Sequence, residues 1–491
     1  MRYFLDRDLD KVLEIVTQIN NKNKYYSVRE ISQIAGISRT LAIKNIEVIN
    51  QYSFSNKKNF SLRRKNSIVT ELMINNYPVE ELASELLSRS TLNTMIRYLF
   101  INKRIIVKEY CKKFSISTST FSRKRKKLKE FLEKINLGLT RRNEISGKET
   151  LIREFFLIYF KNSSTNYPLS KSSFNEMSLI FSGVIPNWEE RTSSNKELHC
   201  LILTISLNRC SQGQFISEDF YTNLYEGFFD NIVVNKIYKN YIKKGYNIKQ
   251  SKIETGMVVY LLFKEGLIFD SYTSTKVVTI LYNKEGIREQ SNGIKNLLKQ
   301  NLSFFSIYEK EDVNHYLLSR IVLFNYVIKD FYIPYDYFYY IYNRKDFYNF
   351  DKTEMEILKE INSFVRKILL KSQYSEYYKD FLTHYSKRDL VYYLFITVYS
   401  VLMKTKAYEI PPVKIFIDHS KLLNTEIIAS KLKMIFSDSI TIANSNYKEV
   451  DLFITDSNTI IGVDKKVVTI DSYAEKDDLQ IVLDSILKIR E

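Results

Sequence analysis

The stretch Arg104–Ile135, RIIVKEYCKKFSISTSTFSRKRKKLKEFLEKI, decides how this chain is read. Tyr110, Cys111, Phe114, Ile116, Phe121 and Leu128 recur at spacings that line one apolar seam. They join a helix near 107–114 to a longer one from about Thr118 to Ile135, with Ser115–Ser117 as the turn. This is the helix-turn-helix layout. The seven residues from Arg123 to Lys129 include six bases: Arg123, Lys124, Arg125, Lys126, Lys127 and Lys129. A helix basic on nearly all its circumference except Leu128 resists burial and suits the DNA major groove, where phosphates line both walls. Polar Thr118, Ser119 and Thr120 at its start are placed for base edges, and the lysines for the backbone. A merely solvated charged face is the plainer alternative, and the preceding turn and seam weigh against it.

Outward from this helix, NLGLTRRNEISGKE has the cadence of a short β-hairpin. Leu137, Leu139, Asn143 and Ile145 alternate around Arg141 and Arg142, with Gly147 closing it. That predicts a wing whose two arginines reach phosphates or an adjacent minor groove. Upstream, YYSVREISQIAGISRTLAIKNIEVINQ reads as a second helix-turn-helix, with helices over 28–35 and 39–51 and a turn at Gly36. Ile31, Ala35, Ile37, Ala42 and Ile46 form its seam, and Ser38 is positioned to cap the second helix. Arg39, Thr40 and Lys44 are its candidate DNA contacts. An ordinary helical hairpin fits this first copy equally well.

The charge distribution agrees. The chain of 491 residues carries +17 overall, yet Ile101–Thr150 holds 15 Lys or Arg against 5 Asp or Glu, whereas Pro411–Glu491 holds 10 against 13. A localised basic surface is the footprint of a polyanionic partner. Only 12 glycines occur, with neither GxxxxGK[ST] nor GxGxxG among them, so nucleotide-driven enzymology has no phosphate loop to stand on. No cofactor and no enzyme activity are expected. Cys111, Cys200 and Cys210 contain no CxxC pair and build neither a disulfide framework nor a four-ligand zinc site. The opening MRYFLDRDLD lacks the apolar core of a signal peptide, and no run of about 18 apolar residues exists to span a bilayer. The expectation is a cytoplasmic protein without membrane contact.

The motifs VREISQIAGIS, VKEYCKKFSISTSTFSRKRKKLKEFL and the join ISGKETLIREFF together resemble the Mga and RofA-like virulence regulators of Gram-positive bacteria, with the anthrax toxin activator as a more distant relative. The resemblance implies a mostly α multidomain chain. It comprises two N-terminal winged helix-turn-helix domains (1–63 and 64–162), two helical phosphotransferase-system (PTS) regulation domains (163–285 and 286–408) and a small C-terminal α/β domain similar to enzyme IIB (409–491). It also implies double-stranded promoter DNA, a second copy of the chain and PTS phosphotransfer proteins as partners, with activation of virulence-type genes as the output.

The middle of the chain is rich in Leu, Ile, Tyr and Phe at helical spacing, as packed bundles require. LHCLILTISLNR from Leu198 aligns with NHYLLSRIVLFN from Asn314, matching His199 to His315, Leu201 to Leu317, Ile205 to Ile321 and Leu207 to Leu323. Of the four histidines, the resemblance implies regulatory phosphorylation at His199 and His384, with His315 as a third candidate; for each, a structural or surface histidine is the competing reading. From Pro412 short β-branched runs alternate with helices, which predicts a small parallel α/β sheet. The loop DHSKLLN, where an active enzyme IIB holds its nucleophilic cysteine, has none, which excludes phosphocysteine chemistry and leaves a vestigial docking or dimerisation surface. An RNA-binding antiterminator with paired regulation domains is the alternative function, and the two helix-turn-helix units speak against it.

Overall fold

The computed structural model describes residues 2–20, 22, 24–52, 60–65, 68–74, 79–163, 171–182, 185, 188, 192–265, 267, 271–302, 311–330, 352–405, 412–418, 422–436, 440–443, 450–456, 466–470 and 476–490. The first winged unit is α1 (Arg7–Ile19), β1 (Tyr26–Ser27), α2 (Val28–Ala35), α3 (Arg39–Tyr52), β2 (Phe60–Lys65) and β3 (Ile68–Ile74). Ser27 starts α2 with a capping box: its hydroxyl accepts from the Glu30 N–H at 3.2 Å while the Glu30 carboxylate accepts from the Ser27 N–H at 2.7 Å. Gly36 ends α2 in the left-handed region at φ 60°, and the Ser38 hydroxyl accepts from the Leu41 N–H at 3.3 Å to start α3. The expected seam forms, with Ile31, Ala35, Ala42 and Ile46 buried and Ile37 half-buried.

The strands of this unit pair antiparallel in the order β1-β3-β2, with Tyr26 opposite Leu72 and Leu62 opposite the same residue from the other side. β3, which pairs with both β1 and β2, ends at Ile74, and residues 63 and 64 both lie within β2. Buried Leu72 and Ile74 are what hold β3 to its helices.

The second winged unit follows as α4 (Val79–Arg89), α5 (Thr91–Asn102), α6 (Val107–Lys113), α7 (Thr118–Lys134), β4 (Gly138–Leu139), β5 (Ile145–Ser146) and α8 (Glu149–Asn162). In α8 every side chain from Thr150 to Phe160 is buried. A helix apolar on all sides belongs in the middle of a structure, and the two charged residues inside it must be paired there. Arg153, fully inaccessible, donates to Glu149 (3.0 Å), to the Ser206 hydroxyl (2.7 Å), to the Gln214 carbonyl (3.1 Å) and to both oxygens of Glu254. Glu154 pairs with Lys264. Phe155 of the same helix lies 6.1 Å from Phe131 of α7, ring centre to ring centre. One helix thus completes the winged unit and forms the spine of the bundle that follows it.

That bundle and the remaining helices are α9 (Lys171–Ser182), α10 (Ser193–Ser211), α11 (Phe220–Gly227), α12 (Ile232–Lys243), α13 (Ile248–Lys264), α14 (Ser271–Tyr282), α15 (Ile287–Asn301), α16 (Glu311–Asp330), α17 (Lys352–Lys367), α18 (Lys379–His384) and α19 (Lys387–Thr405). Where α13 crosses α11, Gly256 lets the backbones touch: a Cβ there would sit 1.9 Å from the Tyr221 carbonyl oxygen. The C-terminal part consists of β6 (Val413–Asp418), α20 (Leu422–Phe436), β7 (Ile440–Ile442), β8 (Leu452–Thr455), β9 (Lys466–Thr469) and α21 (Lys476–Arg490). Its four strands are all parallel in the order β7-β6-β8-β9, as the β-branched runs predict, around a core of Ile415, Ile428, Leu432, Leu452, Ile454 and Val482. His419 lies outside the described residues.

The chain gathers into two compact units, one of Met1–Lys295, Leu318–Phe347 and Leu370–Leu390, the other of Asn296–Leu317, Tyr348–Leu369 and Val391–Glu491. The fold is mostly helical with one small parallel sheet near the C-terminus.

Candidate DNA-binding surface

The seam of Arg104–Ile135 forms with Tyr110, Phe121 and Leu128 buried and Cys111, Phe114 and Ile116 half-buried. Tyr110 stands at its centre, 4.5 Å from the Phe114 ring and 5.6 Å from Phe121, and its hydroxyl is 2.7 Å from that of Thr94. Burial pushes its phenol up to about 12, so it stays neutral in the seam. Ser117 caps α7 by accepting from the Thr120 N–H at 3.1 Å.

The six bases of α7 do not ring the helix evenly. Arg123, Lys126 and Lys129 are exposed, and Lys129 has Glu133 one turn on at 3.5 Å. Lys124 turns inward and pairs with Asp6. Arg125 is committed to the wing: its Nε donates to the Asn143 side-chain oxygen and its Nη2 to the Thr140 carbonyl at 2.9 Å. Lys127 lies over the Tyr3 ring at 4.8 Å, and burial, with the Lys124 charge beside it, draws its amine below the usual lysine range. The expectation of charge around the whole circumference is corrected accordingly. Long-range partners, Asp6 and Tyr3 on one side and Thr140 and Asn143 on the other, take up three of the six.

Thr118, Ser119, Ser122, Arg123 and Lys126 are exposed over the first half of α7, and Lys129, Glu130 and Glu133 are exposed beyond them. Residues 119, 122, 123 and 126 fall at i, i+3, i+4 and i+7, one stripe of a helix. Ser122 was not singled out from the sequence, although this periodicity identifies it. Beyond α7, the wing brings Arg141 and Arg142 to an exposed turn between β4 and β5, where Gly138 pairs with Ser146 and Leu139 with Ile145. Asn143 sets this turn. It adopts φ 58°, a conformation that Asn tolerates better than most residues, and its amide donates to the Ile105 carbonyl at 3.1 Å. Arg104 pairs with Glu144 as a short third rung of the wing.

In the first unit, Arg39, Thr40 and Lys44 are exposed on α3. One turn on, Glu47 holds the wing residue Arg64 through two hydrogen bonds of 2.7 and 3.0 Å, which keeps the Glu47 carboxyl below the usual carboxylate range. On α3 the exposed bases are Arg39 and Lys44.

The three histidines expected to take phosphate fall in different surroundings. His199 of α10 is fully inaccessible, with Nδ1 2.7 Å from the Asn195 carbonyl and its ring edge-on to Phe181 (5.2 Å) and Trp188 (5.4 Å). Its imidazole is closed to a phosphotransfer protein in this conformation. His384 is exposed at the last residue of α18, just before the Ser386–Asp389 capping box that opens α19. His315 falls in α16, its side chain outside those described. Among the described residues no helix is long and apolar enough to cross a membrane.

Comparison with curated proteins gives no match. The family model of the Mga helix-turn-helix domain matches residues 75–160. Those limits begin directly after β3 and end within α8, so the match spans α4 to α8, with the seam, the exposed stripe of α7 and the arginine-bearing wing inside it. The similarity of residues 75–160 to the Mga helix-turn-helix domain thus supports a Mga-like regulator, with DNA binding as the function that this domain points to.

Proposed function

We propose that the chain binds promoter DNA by laying α7 in the major groove, with Thr118, Ser119 and Ser122 toward base edges and Arg123, Lys126, Arg141 and Arg142 on phosphates. The observation that carries this reading is the exposed stripe of hydroxyls and bases over the first half of α7, flanked by a wing with two exposed arginines. Arg39, Thr40 and Lys44 of α3 add a second, weaker contact. Lys124, Arg125 and Lys127 serve instead to orient α7. The test is competition between an AT-rich duplex and RNA of matching sequence for the full-length chain. Preference for the duplex supports the reading, and equal or stronger binding of RNA supports the antiterminator alternative.

The finer reading is a cytoplasmic, homodimeric activator of virulence-type genes whose activity is gated by PTS-dependent histidine phosphorylation. Exposure favours His384 as the acceptor over buried His199, because a phosphotransfer protein has to bring its own phosphohistidine against the imidazole. The C-terminal parallel sheet, which lacks the cysteine of an active enzyme IIB, then acts as a docking module. Mass spectrometry after incubation with the general phosphotransfer proteins tests the gate: phosphate on His384 supports it, and phosphate on no histidine removes it. Solution mass decides between dimer and monomer.

A further inference from the structure

The segment Arg2–Asp6 lies against the back of the second winged unit, although the chain then runs directly into the first. Phe4 is fully buried, its ring 4.8 Å from Phe131 of α7 and 5.1 Å from Tyr159 of α8. The Ser90 hydroxyl donates to its carbonyl. The Tyr3 hydroxyl donates to the Lys127 carbonyl at 3.0 Å, and the ammonium groups of Lys127 and Lys134 lie 4.8 and 5.6 Å from the centre of the Tyr3 ring. Asp6 is the node of the arrangement. Its carbonyl accepts from the Asp10 N–H at 2.9 Å to begin α1, one carboxylate oxygen accepts the Thr91 N–H and hydroxyl at 3.1 Å each to cap α5, and the other pairs with Lys124. A carboxylate at the N-terminus of α5 is also favoured by that helix's dipole, which holds it in place for Lys124.

Lys124 immediately follows Arg123 on a helix read as the DNA-contacting one, yet its side chain is only 14% exposed and its charge is answered within the protein. Nearly all the sequence-independent affinity of a DNA-binding helix comes from each ammonium or guanidinium that displaces a condensed counterion from phosphate. A lysine held by a carboxylate contributes no such term. We infer that Asp6 is a positioning residue that withholds Lys124 from the DNA backbone, so that α7 docks by its Arg123–Lys126 stripe and not by its neighbouring face. This inference rests on the reading of α7 as a DNA-contacting helix. The residue achieves it from about 120 positions away, by tying the start of the first winged unit to the second.

The experiment measures binding of the full-length chain to an AT-rich duplex of about 24 base pairs over a series of KCl concentrations. Lys124→Met is expected to leave the slope of log K against log[KCl] at its wild-type value. Asp6→Asn, whose amide oxygen still accepts from Thr91, is expected to steepen it by about 0.9, the contribution of one added phosphate contact. Asp6→Asn/Lys124→Met is expected to return to the wild-type slope. A merely structural role for Asp6 weakens binding without steepening the slope. A shallower slope in Lys124→Met, or an unchanged one in Asp6→Asn, overturns the inference. Circular dichroism checks each variant, and if Asp6→Asn does not fold the Lys124→Met comparison decides alone. Wild-type chain that shows no salt-dependent binding to the duplex overturns the underlying reading of α7, and the inference with it, before any variant is compared.

Discussion

Replacing Arg153 by Met places the heaviest demand on the structure. The guanidinium is wholly buried and is answered by Glu149, Glu254, Ser206 and the Gln214 carbonyl. Methionine keeps much of the side-chain volume and removes the charge, which leaves Glu254 as a buried carboxylate with neutral partners: the Ser206 hydroxyl (3.2 Å), the Ile216 N–H (3.0 Å), the Gln250 amide (3.1 Å) and the Cys210 thiol. Breaking one partner of a buried pair costs about 3–5 kcal/mol. That is a large part of the roughly 5–15 kcal/mol that holds a domain folded. Trp188, the single tryptophan, reports on this bundle: it stacks on Phe181 of α9 at 5.5 Å and meets His199 of α10, the helix that also carries Ser206 and Arg209. Urea unfolding followed by Trp188 emission should show a loss of that size for Arg153→Met. Arg153→Met/Glu254→Gln should lose less than the two single losses combined, because both charges are gone. A loss below about 1 kcal/mol in the single variant would mean that the pair is not sealed from water, and the account of α8 as a dry spine would be wrong.

Three further outcomes follow from the geometry. Gly256→Ala should destabilise the α11–α13 crossing by about 1–3 kcal/mol or more, visible as lost amide protection in both helices, since the new methyl meets the Tyr221 carbonyl carbon at 2.7 Å as well as its oxygen. Asn143→Ala should cost about 1–3 kcal/mol and raise proteolysis of the wing, because it leaves Arg125 without its amide partner and forces alanine into φ 58°. Glu47 is held below the usual carboxylate range by Arg64, so the stability from that pair is present near neutral pH and is lost as pH falls through the lowered value. Both partners are more than a third exposed, and screening limits the effect to below about 1 kcal/mol; Glu47→Gln should flatten that acid limb in thermal melts between about pH 6 and pH 3.

What the sequence disclosed and what it concealed divide along contact range. The two apolar seams were legible because they are local: successive members of Ile31, Ala35, Ala42 and Ile46, or of Tyr110, Phe121 and Leu128, lie within about a dozen residues of each other. The capping serines and Gly36 are likewise nearest-neighbour features. The parallel C-terminal sheet announced itself through β-branched runs between helices. The division of labour within the basic cluster was not legible, because the groups that claim Lys124 and Lys127 lie more than 100 residues away in Tyr3 and Asp6. The burial of His199 was hidden for the same reason, since the rings that enclose it come from Phe181 and Trp188 rather than from its own helix. The spine role of α8 left a sign that local reading passes over: LIREFFLIYF is apolar on every face except for Arg153 and Glu154, and a helix of that kind is buried with its charges paired.

The most direct measurement is the salt dependence of duplex binding by wild-type chain and by Arg123→Ala/Lys126→Ala. The exposed-stripe account predicts weaker binding and a slope shallower by about 1.8, the loss of two phosphate contacts at about 0.9 each. Unchanged affinity and slope in that variant would contradict it and place the DNA contact elsewhere on the chain.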